Sequence, residues 1–298
     1  KLRRVELRFL EGAKSYDEIA DEIVKQQKVL CIVNTRRDAK EIYDRLPKDG
    51  VCLHLSRMMC PAHVASAIQA VKETLRDKCT QPIRVIATQL IEAGVDIDFP
   101  VVFRQEAGLD SILQAAGRCN REGRQEIGYT FVFSLGKEHP LPPGFITQTN
   151  NARLGMGHKD DWFAPEAMTQ YFRQLHARID NFDEKQMEAL LYKPKCEFEE
   201  AAHRFRLIDD NTIPVIVNWQ DSMKLYQQLL SAGPDYRLMR RLASYSVSVR
   251  KRDFDELKRI GAIDEPFEGT YAIIHPGFYR SDTGLTLENQ WLEETYII

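Results

Sequence analysis

Apolar positions change their period in an orderly way along the first 135 residues. Val5–Leu10 alternates apolar and polar side chains, which reads as a strand with one covered face. Val29–Val33, Val51–Leu55, Ile83–Ala87, Val101–Arg104 and Tyr129–Phe133 are short, nearly continuous apolar runs, as strands buried on both faces require. Helical stretches lie between them: Ser15–Lys25, Arg36–Leu46, Pro61–Arg76 and Asp110–Cys119. Ser15 with Glu18 three residues on makes a capping box, Pro47 ends the second helix, and Pro61 sits in the first turn of the third. Strands alternating with helices predict an α/β fold, a parallel sheet with helices on both faces. Such sheets place ligand groups beyond the carboxyl ends of their strands, where Thr88 and Asp96 fall.

The pattern breaks after Leu135. Gly136–Phe145 carries three prolines and two glycines and reads as a linker. Pro165–Ile179 is helical, with Met168, Tyr171, Phe172, Leu175 and Ile179 on one stripe that reads as packing rather than a ligand site. Lys195–Val217 suggests a helix and then a hairpin turning at Asp209–Asn211. Helices over Asp221–Leu230 and Phe254–Arg259, with strands at Gly269–Ile274 and Tyr279–Leu287, complete a small α+β unit. The expected division is 1–140, a linker with helices at 141–195, and a C-terminal domain at 196–298.

A chain of 298 residues has room for about two domains. Its hydrophobic fraction of 43% supports sizeable cores, and no apolar run approaches the roughly 18 residues of a membrane span. No signal peptide is visible, and six cysteines without C-x-x-C spacing argue against zinc and for a reducing, cytoplasmic setting. Cys31 and Cys52 fall in apolar runs and read as buried thiols. The net charge of −3 means that any nucleic-acid contact must be a local patch. His54 and His63, nine residues apart beside Arg57, make no metal site and read as surface or packing residues.

Chemistry concentrates in Val85–Arg124. Two blocks stand out, ATQLIEAGVDID at Ala87–Asp98 and QAAGRCNR at Gln114–Arg121. Arg118 and Arg121 follow a glycine and stand three apart, so at helical spacing both can face one anion. A guanidinium is permanently charged and forks onto phosphate oxygens, as an arginine finger does at a γ-phosphate.

Together the blocks resemble motifs V and VI of superfamily 2 helicases, which implies a second RecA-like lobe. The flavour is more specific. Glu92–Phe99, Glu106–Ser111 and Gln114–Gly123 resemble the CRISPR-associated helicase–nuclease of type I systems, with Asn120 and Glu122 departing from the glycine-bearing motif VI of most other helicases. Val29–Leu46 and Leu53–Met58 fit the same lobe; Tyr245–Val249 and Tyr279–Leu285 match more weakly. The resemblance implies that Gln114, Arg118 and Arg121 face ATP held on another lobe. It implies that Gly94 packs at the interlobe cleft and Asp96 faces the ribose or the attacking water. Thr88 and Thr35 would touch the nucleic-acid backbone, with Arg36 beside them where such lobes meet the tracking strand. Arg57 joins this set, and Arg250 and Arg252 would extend a phosphate track. The implied cofactors are ATP and Mg, with no metal ligand in this chain. The implied partners are single-stranded DNA, an N-terminal nuclease domain and first RecA-like lobe, a CRISPR surveillance complex and an anti-CRISPR inhibitor, with no membrane.

Three readings stay open. No Gly–x–x–x–x–Gly–Lys–Ser/Thr loop, Asp–Glu–x–His motif or His–Asp cluster occurs in the sequence, and the chain starts at Lys1. The expectation is therefore a C-terminal piece of a helicase–nuclease, inactive alone. The alternatives are a non-catalytic binding module and a lobe of a generic DNA-repair helicase. At the level of residues, Thr35–Arg37 reads equally as a solvated helix start, and Arg250–Arg252 as a solvated charge run.

Overall fold

The computed structural model describes the chain except residues 1–3, 77–80, 93–94, 137, 142–143, 160, 180, 182, 184, 193–195, 206–211, 268–270 and 288–298. The first part alternates as the sequence implies. In order come β1 (Val5–Lys14), α1 (Tyr16–Val24), β2 (Lys28–Val33), α2 (Arg36–Arg45), β3 (Val51–Leu55), α3 (Pro61–Arg76), β4 (Ile83–Thr88), β5 (Val101–Gln105), α4 (Leu109–Ala116) and β6 (Gly128–Leu135). The six strands form one sheet in the order β1-β6-β5-β2-β4-β3, and every pairing is parallel.

Strand alternation sorts the side chains between two cores. Val29, Cys31 and Val33 of β2 face α1 and α2, packing with Ile19, Ile23, Ile42 and Phe103. Leu30 and Ile32 face the other way, onto Val71, Val85, Phe99, Val102 and Ala115. Each such fully buried side chain contributes about 1.5–3 kcal/mol of transfer free energy, so neither face is dispensable. Ser15 caps α1 as expected, its hydroxyl accepting from the Glu18 amide while the Glu18 carboxylate accepts from the Ser15 amide.

Next come α5 (Phe145–Leu154), α6 (Pro165–His176), α7 (Met187–Leu191) and α8 (Phe198–Arg204). The expected linker thus gives way to a helix at Phe145. That helix carries no apolar stripe because it buries polar groups: Thr149, Asn150 and Arg153 are all nearly inaccessible. Arg153 Nε donates to the Ala107 carbonyl at 2.9 Å, and its Nη2 donates to Asn150 Oδ1 at 2.8 Å. On α6, Tyr171 and Leu175 of the expected stripe are buried against Leu109 and Ala152, whereas Phe172 is exposed.

The C-terminal part holds β7 (Thr212–Ile216), α9 (Ser222–Ala232), α10 (Tyr236–Leu242), β8 (Ser246–Arg250), α11 (Lys251–Arg259), β9 (Ile263–Phe267), β10 (Tyr271–Ile274), β11 (Tyr279–Arg280) and β12 (Gly284–Leu285). Its mixed sheet runs β8-β7-β10-β9, with only β7 and β10 parallel. The expected turn at Asp209–Asn211 lies outside the described residues. Two expectations change here. The last helix starts at Lys251 rather than Phe254, and Tyr279–Leu287 is a two-stranded hairpin instead of one strand.

This part is seated on the β3–α3 connection. The His63 ring stacks on Trp219 with centroids 3.6 Å apart, and its Nδ1 lies 2.9 Å from the Tyr279 hydroxyl. The Cys60 amide donates to that hydroxyl at 3.1 Å, and the Leu285 amide donates to the Met58 carbonyl at 2.7 Å. Gly284, at φ +82°, lies so close that a Cβ would come within 2.3 Å of the Met58 oxygen. Both histidines therefore have packing roles, His54 at 3% and His63 at 4% exposure.

Burial lowers both imidazoles to about 4 from the ordinary 6.5. The fold holds them neutral, so their stabilisation is complete above pH 6.5 and is lost as pH falls toward about 4. Thermal melts from pH 7 to 4 should show stability dropping through that window, by an amount on the order of 3 kcal/mol per histidine at its lower end. His63→Phe keeps the stack on Trp219 and should flatten the dependence; an unchanged profile would assign the acid transition to other groups.

Candidate nucleotide and nucleic-acid site

The carboxyl edge of the parallel sheet carries most of the candidate residues. Val33 of β2 pairs with Thr88 of β4, so Thr35 and Thr88 stand on one edge by register. The Thr35 hydroxyl accepts from the Asp38 amide at 3.0 Å and caps α2; its own hydrogen stays available to an acceptor. Thr88 is buried at the strand end, opens the 3₁₀ turn Gln89–Ile91, and makes no capping bond with its side chain. Arg36 is half-buried with its guanidinium against the Met58 sulfur. Burial first, and Arg250 second, lower its affinity for a proton, with Asp253 opposing. Arg36 and Arg250, from distant parts of the chain, are thus within electrostatic reach of each other. Arg252 is almost fully solvent-exposed beside Asp253, and Arg57 is exposed on the β3–α3 connection.

The two motif blocks are joined through backbone. The Phe99 amide donates to the Arg118 carbonyl at 2.9 Å, and the Asn120 amide donates to the Phe99 carbonyl at 2.8 Å. This parallel bridge requires α4 to stop, and it stops at Ala116 with Gly117 as its C-cap, not at Cys119. Arg118 and Arg121 therefore lie in turns beyond the helix, and helical spacing is not what brings them together. Tertiary contacts are. Arg118 donates from Nε to the Ile91 carbonyl at 3.2 Å and from Nη2 to the Glu92 carbonyl at 2.7 Å. Arg121 pairs with Asp96 at 3.0 Å, while the Asp98 carboxylate accepts from the Arg121 amide at 2.7 Å. Burial, and then the neighbouring Arg121, lower the Arg118 proton affinity, which places the two guanidiniums in one electrostatic neighbourhood with Asp96. Gln114 is exposed on α4, and Gly94 lies outside the described residues. Among the described residues no group of three metal-ligating side chains occurs.

Asn120 has a specific conformational task. Its φ of +43° is in the left-handed region, which glycine and asparagine tolerate best. The residue that sets this motif VI apart thus sits where the backbone favours glycine or asparagine. The buried side chain also accepts from the Gln125 amide at 3.0 Å and donates to the Arg4 and Gln125 carbonyls.

Sequence reasoning missed a buried polar network beneath this edge. Arg104 is fully buried at the end of β5. Its Nε lies 2.9 Å from Glu92 Oε1, and its Nη1 donates to Asn34 Oδ1 at 2.8 Å and to the Gln105 carbonyl at 2.7 Å. Burial pushes the Glu92 carboxyl up and the Arg104 guanidinium down, each opposed by the charge of the other. Next to it, Glu106 accepts from the Ser134 hydroxyl at 2.9 Å and faces Arg153 at 3.4 Å. The signal was present: an arginine inside the apolar run VVFRQ must find a carboxylate if the strand is buried on both faces.

The fold is a six-stranded parallel α/β sheet followed by a helical segment and a small mixed-sheet unit, and its motif blocks resemble those of a helicase lobe. More particularly, residues 25–124 match the family described as CRISPR-associated nuclease/helicase Cas3, C-terminal. The CRISPR-associated nuclease/helicase Cas3 of Haloferax volcanii is 29% identical over 187 residues, 62% of this chain and 19% of that protein. The protein of the same description from Methanothermobacter thermautotrophicus is 32% identical over 112 residues, 38% of this chain and 13% of its own length. The chain thus spans about a fifth or less of these relatives. Among solved structures, T. fusca Cas3–ADP superposes on 96% of this chain and 42% of its own, with a TM-score of 0.59 and 13% identity. A chain of a CRISPR RNA-guided surveillance complex, pre-nicking, gives 0.53 over 91% of this chain at 16% identity, a likeness of fold. The resemblance to the CRISPR helicase–nuclease read from the motifs is borne out. Arg250 and Arg252 lie outside residues 25–124, which the family model matches.

A further consequence concerns Asn120. Asn120→Ala loses the side-chain bonds and strains the left-handed backbone, whereas Asn120→Gly loses only the bonds. Denaturant unfolding should show the alanine variant losing about 2–4 kcal/mol and the glycine variant about 1 kcal/mol less. Equal losses would mean that the backbone relaxes and φ is not the constraint.

Proposed function

We propose that this chain is the part of an ATP-dependent single-stranded DNA helicase–nuclease that supplies arginines to a nucleotide held by another lobe, in the interference step of a type I CRISPR system. Residues 1–140 act as the second RecA-like lobe, 141–195 as a helical linker and 196–298 as an accessory domain. Magnesium and the β- and γ-phosphates belong to the partner lobe. Single-stranded DNA runs along the edge that carries Thr35 and Thr88, and the surveillance complex delivers it. The observation that carries this reading is the joined pair of motif blocks: Arg121 and Arg118 sit beside Asp96 on one side of the motif V turn, and Thr88 opens that turn on the other. Charge spreading over phosphoryl oxygens in the transition state is what such guanidiniums stabilise. Opening and closing against the partner lobe would shift the threonines along the strand.

The arginines differ in what else they do, which makes the test specific. In the full-length protein, Arg121→Ala should lower DNA-stimulated ATP hydrolysis about a hundredfold or more while its melting temperature is kept, because the side chain is 45% exposed. Arg118→Ala should lower the rate and also the melting temperature, since two backbone carbonyls lose their donor. Wild-type turnover in Arg121→Ala sinks the reading.

The DNA side is tested by salt. Phosphate contacts fix position without reading sequence, and each releases counterions. Binding of single strands should show little sequence preference and weaken steeply with salt. Arg250→Glu with Arg252→Glu should flatten the slope of log K against log salt by about one to two units. An unchanged slope returns both residues to a solvated face.

A further inference from the structure

Arg104 occupies a position where the sheet would be sealed more simply by an apolar side chain. It is in register with Ile32 of β2, and its neighbours Val102 and Phe103 are core residues. Burying a guanidinium is unfavourable unless a carboxylate and good acceptors meet it, and an interior Arg–Glu pair seldom stabilises more than apolar packing of the same volume. Here the pairing is not even complete: among the described residues the buried Nη2 has no hydrogen-bond partner, and Nε and Glu92 Oε1, though 2.9 Å apart, are not aligned as a hydrogen bond. Stability of the sheet therefore does not account for the pair.

Its contacts do. Nη1 reaches Asn34, the residue before Thr35, and Nε faces Glu92, the residue that closes the turn opened by Thr88. Asn34 is held further by its amide donating to Gln105 Oε1 at 2.7 Å and its Nδ2 donating to the Glu106 carbonyl at 2.8 Å. Glu92 is gripped twice, by Arg104 at its carboxylate and by Arg118 Nη2 at its backbone carbonyl. One buried cation thus touches the connections after β2 and β4 and the last residue of β5. A single further residue separates it from Arg118.

We infer that Arg104 is a positioning residue that makes the Asn34–Arg36 segment, the Thr88–Glu92 turn and Arg118 move as one block, so that nucleic acid on the sheet edge and nucleotide at the arginines report to each other. Neither ligand touches Arg104. Its role rests on the proposed function for the meaning of the two ends, but the mechanical tie stands on the contacts alone.

The experiment uses the full-length protein and two variants, Arg104→Met and the double variant Arg104→Met with Glu92→Met. Three readouts are taken: the ratio of DNA-stimulated to DNA-free ATP hydrolysis, the KM for ATP, and amide hydrogen exchange in peptides covering 34–37 and 89–92. In Arg104→Met the ratio should fall roughly tenfold or more, with the KM for ATP within about twofold, in the range of ordinary coupling between sites. Exchange should rise in both peptides together. The double variant leaves no buried charge unpaired and should recover thermal stability without recovering the ratio. A double variant with the wild-type ratio overturns the inference, because the pair is then only core filling. Should the wild-type protein show no stimulation by DNA, the proposed function fails, and exchange still decides the tie: a joint rise upholds it, and a rise in one peptide alone overturns it.

Discussion

Two backbone hydrogen bonds on Phe99 organise this molecule. They fasten the segment after β4 to the segment after α4, and most of the site's geometry follows from them. To present its carbonyl to Phe99, Arg118 must leave the helix, so α4 ends at Ala116. Directly after that bond the chain turns away at Asn120 through the left-handed region, which costs most residues roughly 1–2 kcal/mol and asparagine less. With that geometry set, Asp96 and Asp98 lie where the Arg121 side chain and amide meet them. The spacing of the two arginines in sequence is then incidental. What matters is that each is held by a different part of the motif V segment.

Much of the first lobe was legible, for a plain reason. A strand buried on both faces needs a continuous apolar run, and β2, β4 and β5 have little other chemistry to confuse the pattern. The expected strand bounds there fall within a residue of those found. The misses have physical causes too. Ala115, Ala116 and Cys119 continue a helical apolar spacing, so the sequence extends α4 by three residues; the bridge to Phe99 overrides it. The helix at Phe145–Leu154 buries Thr149, Asn150 and Arg153, and a periodicity reading sees only apolar stripes. Arg104 looked like the polar end of a strand because its partner Glu92 belongs to another segment. Of the site, the motif residues were legible by type and order, while the contacts that hold them were not.

The C-terminal unit bears on the site through its seat. Trp219, Tyr279 and Leu285 grip the β3–α3 connection and the first turn of α3, from Met58 to His63, with the two rings of His63 and Trp219 only 15° from parallel. Stacking and hydrogen bonds there fix the orientation of the small sheet relative to the large one. Arg250 and Asp253, at the start of α11, are brought within electrostatic reach of Arg36 as a consequence. A basic cluster made of residues more than two hundred positions apart cannot be seen as a run in the sequence. Its two halves are each too short to stand out from a solvated surface.

Where the lobe spends buried charge is itself informative. Both faces of the sheet are sealed mainly by apolar side chains; Arg84 is buried near the amino end of β4 against Asp49, while Glu92, Arg104 and Arg153 gather under the carboxyl edge with Asn34 and Gln105. A polar network in a low-dielectric setting is rigid when satisfied and costly when broken, so it holds loops in one arrangement or switches them as a group. Loops tied only by apolar packing could shift one at a time. Here Glu92 answers to Arg104 through its side chain and to Arg118 through its backbone, so a displacement of the motif V turn is felt by both. Asn34 and Arg118 stand 84 residues apart in the sequence, yet only two residues, Arg104 and Glu92, separate them in space. Under the proposed function, that short path is what joins the nucleic-acid end of the sheet edge to its nucleotide end.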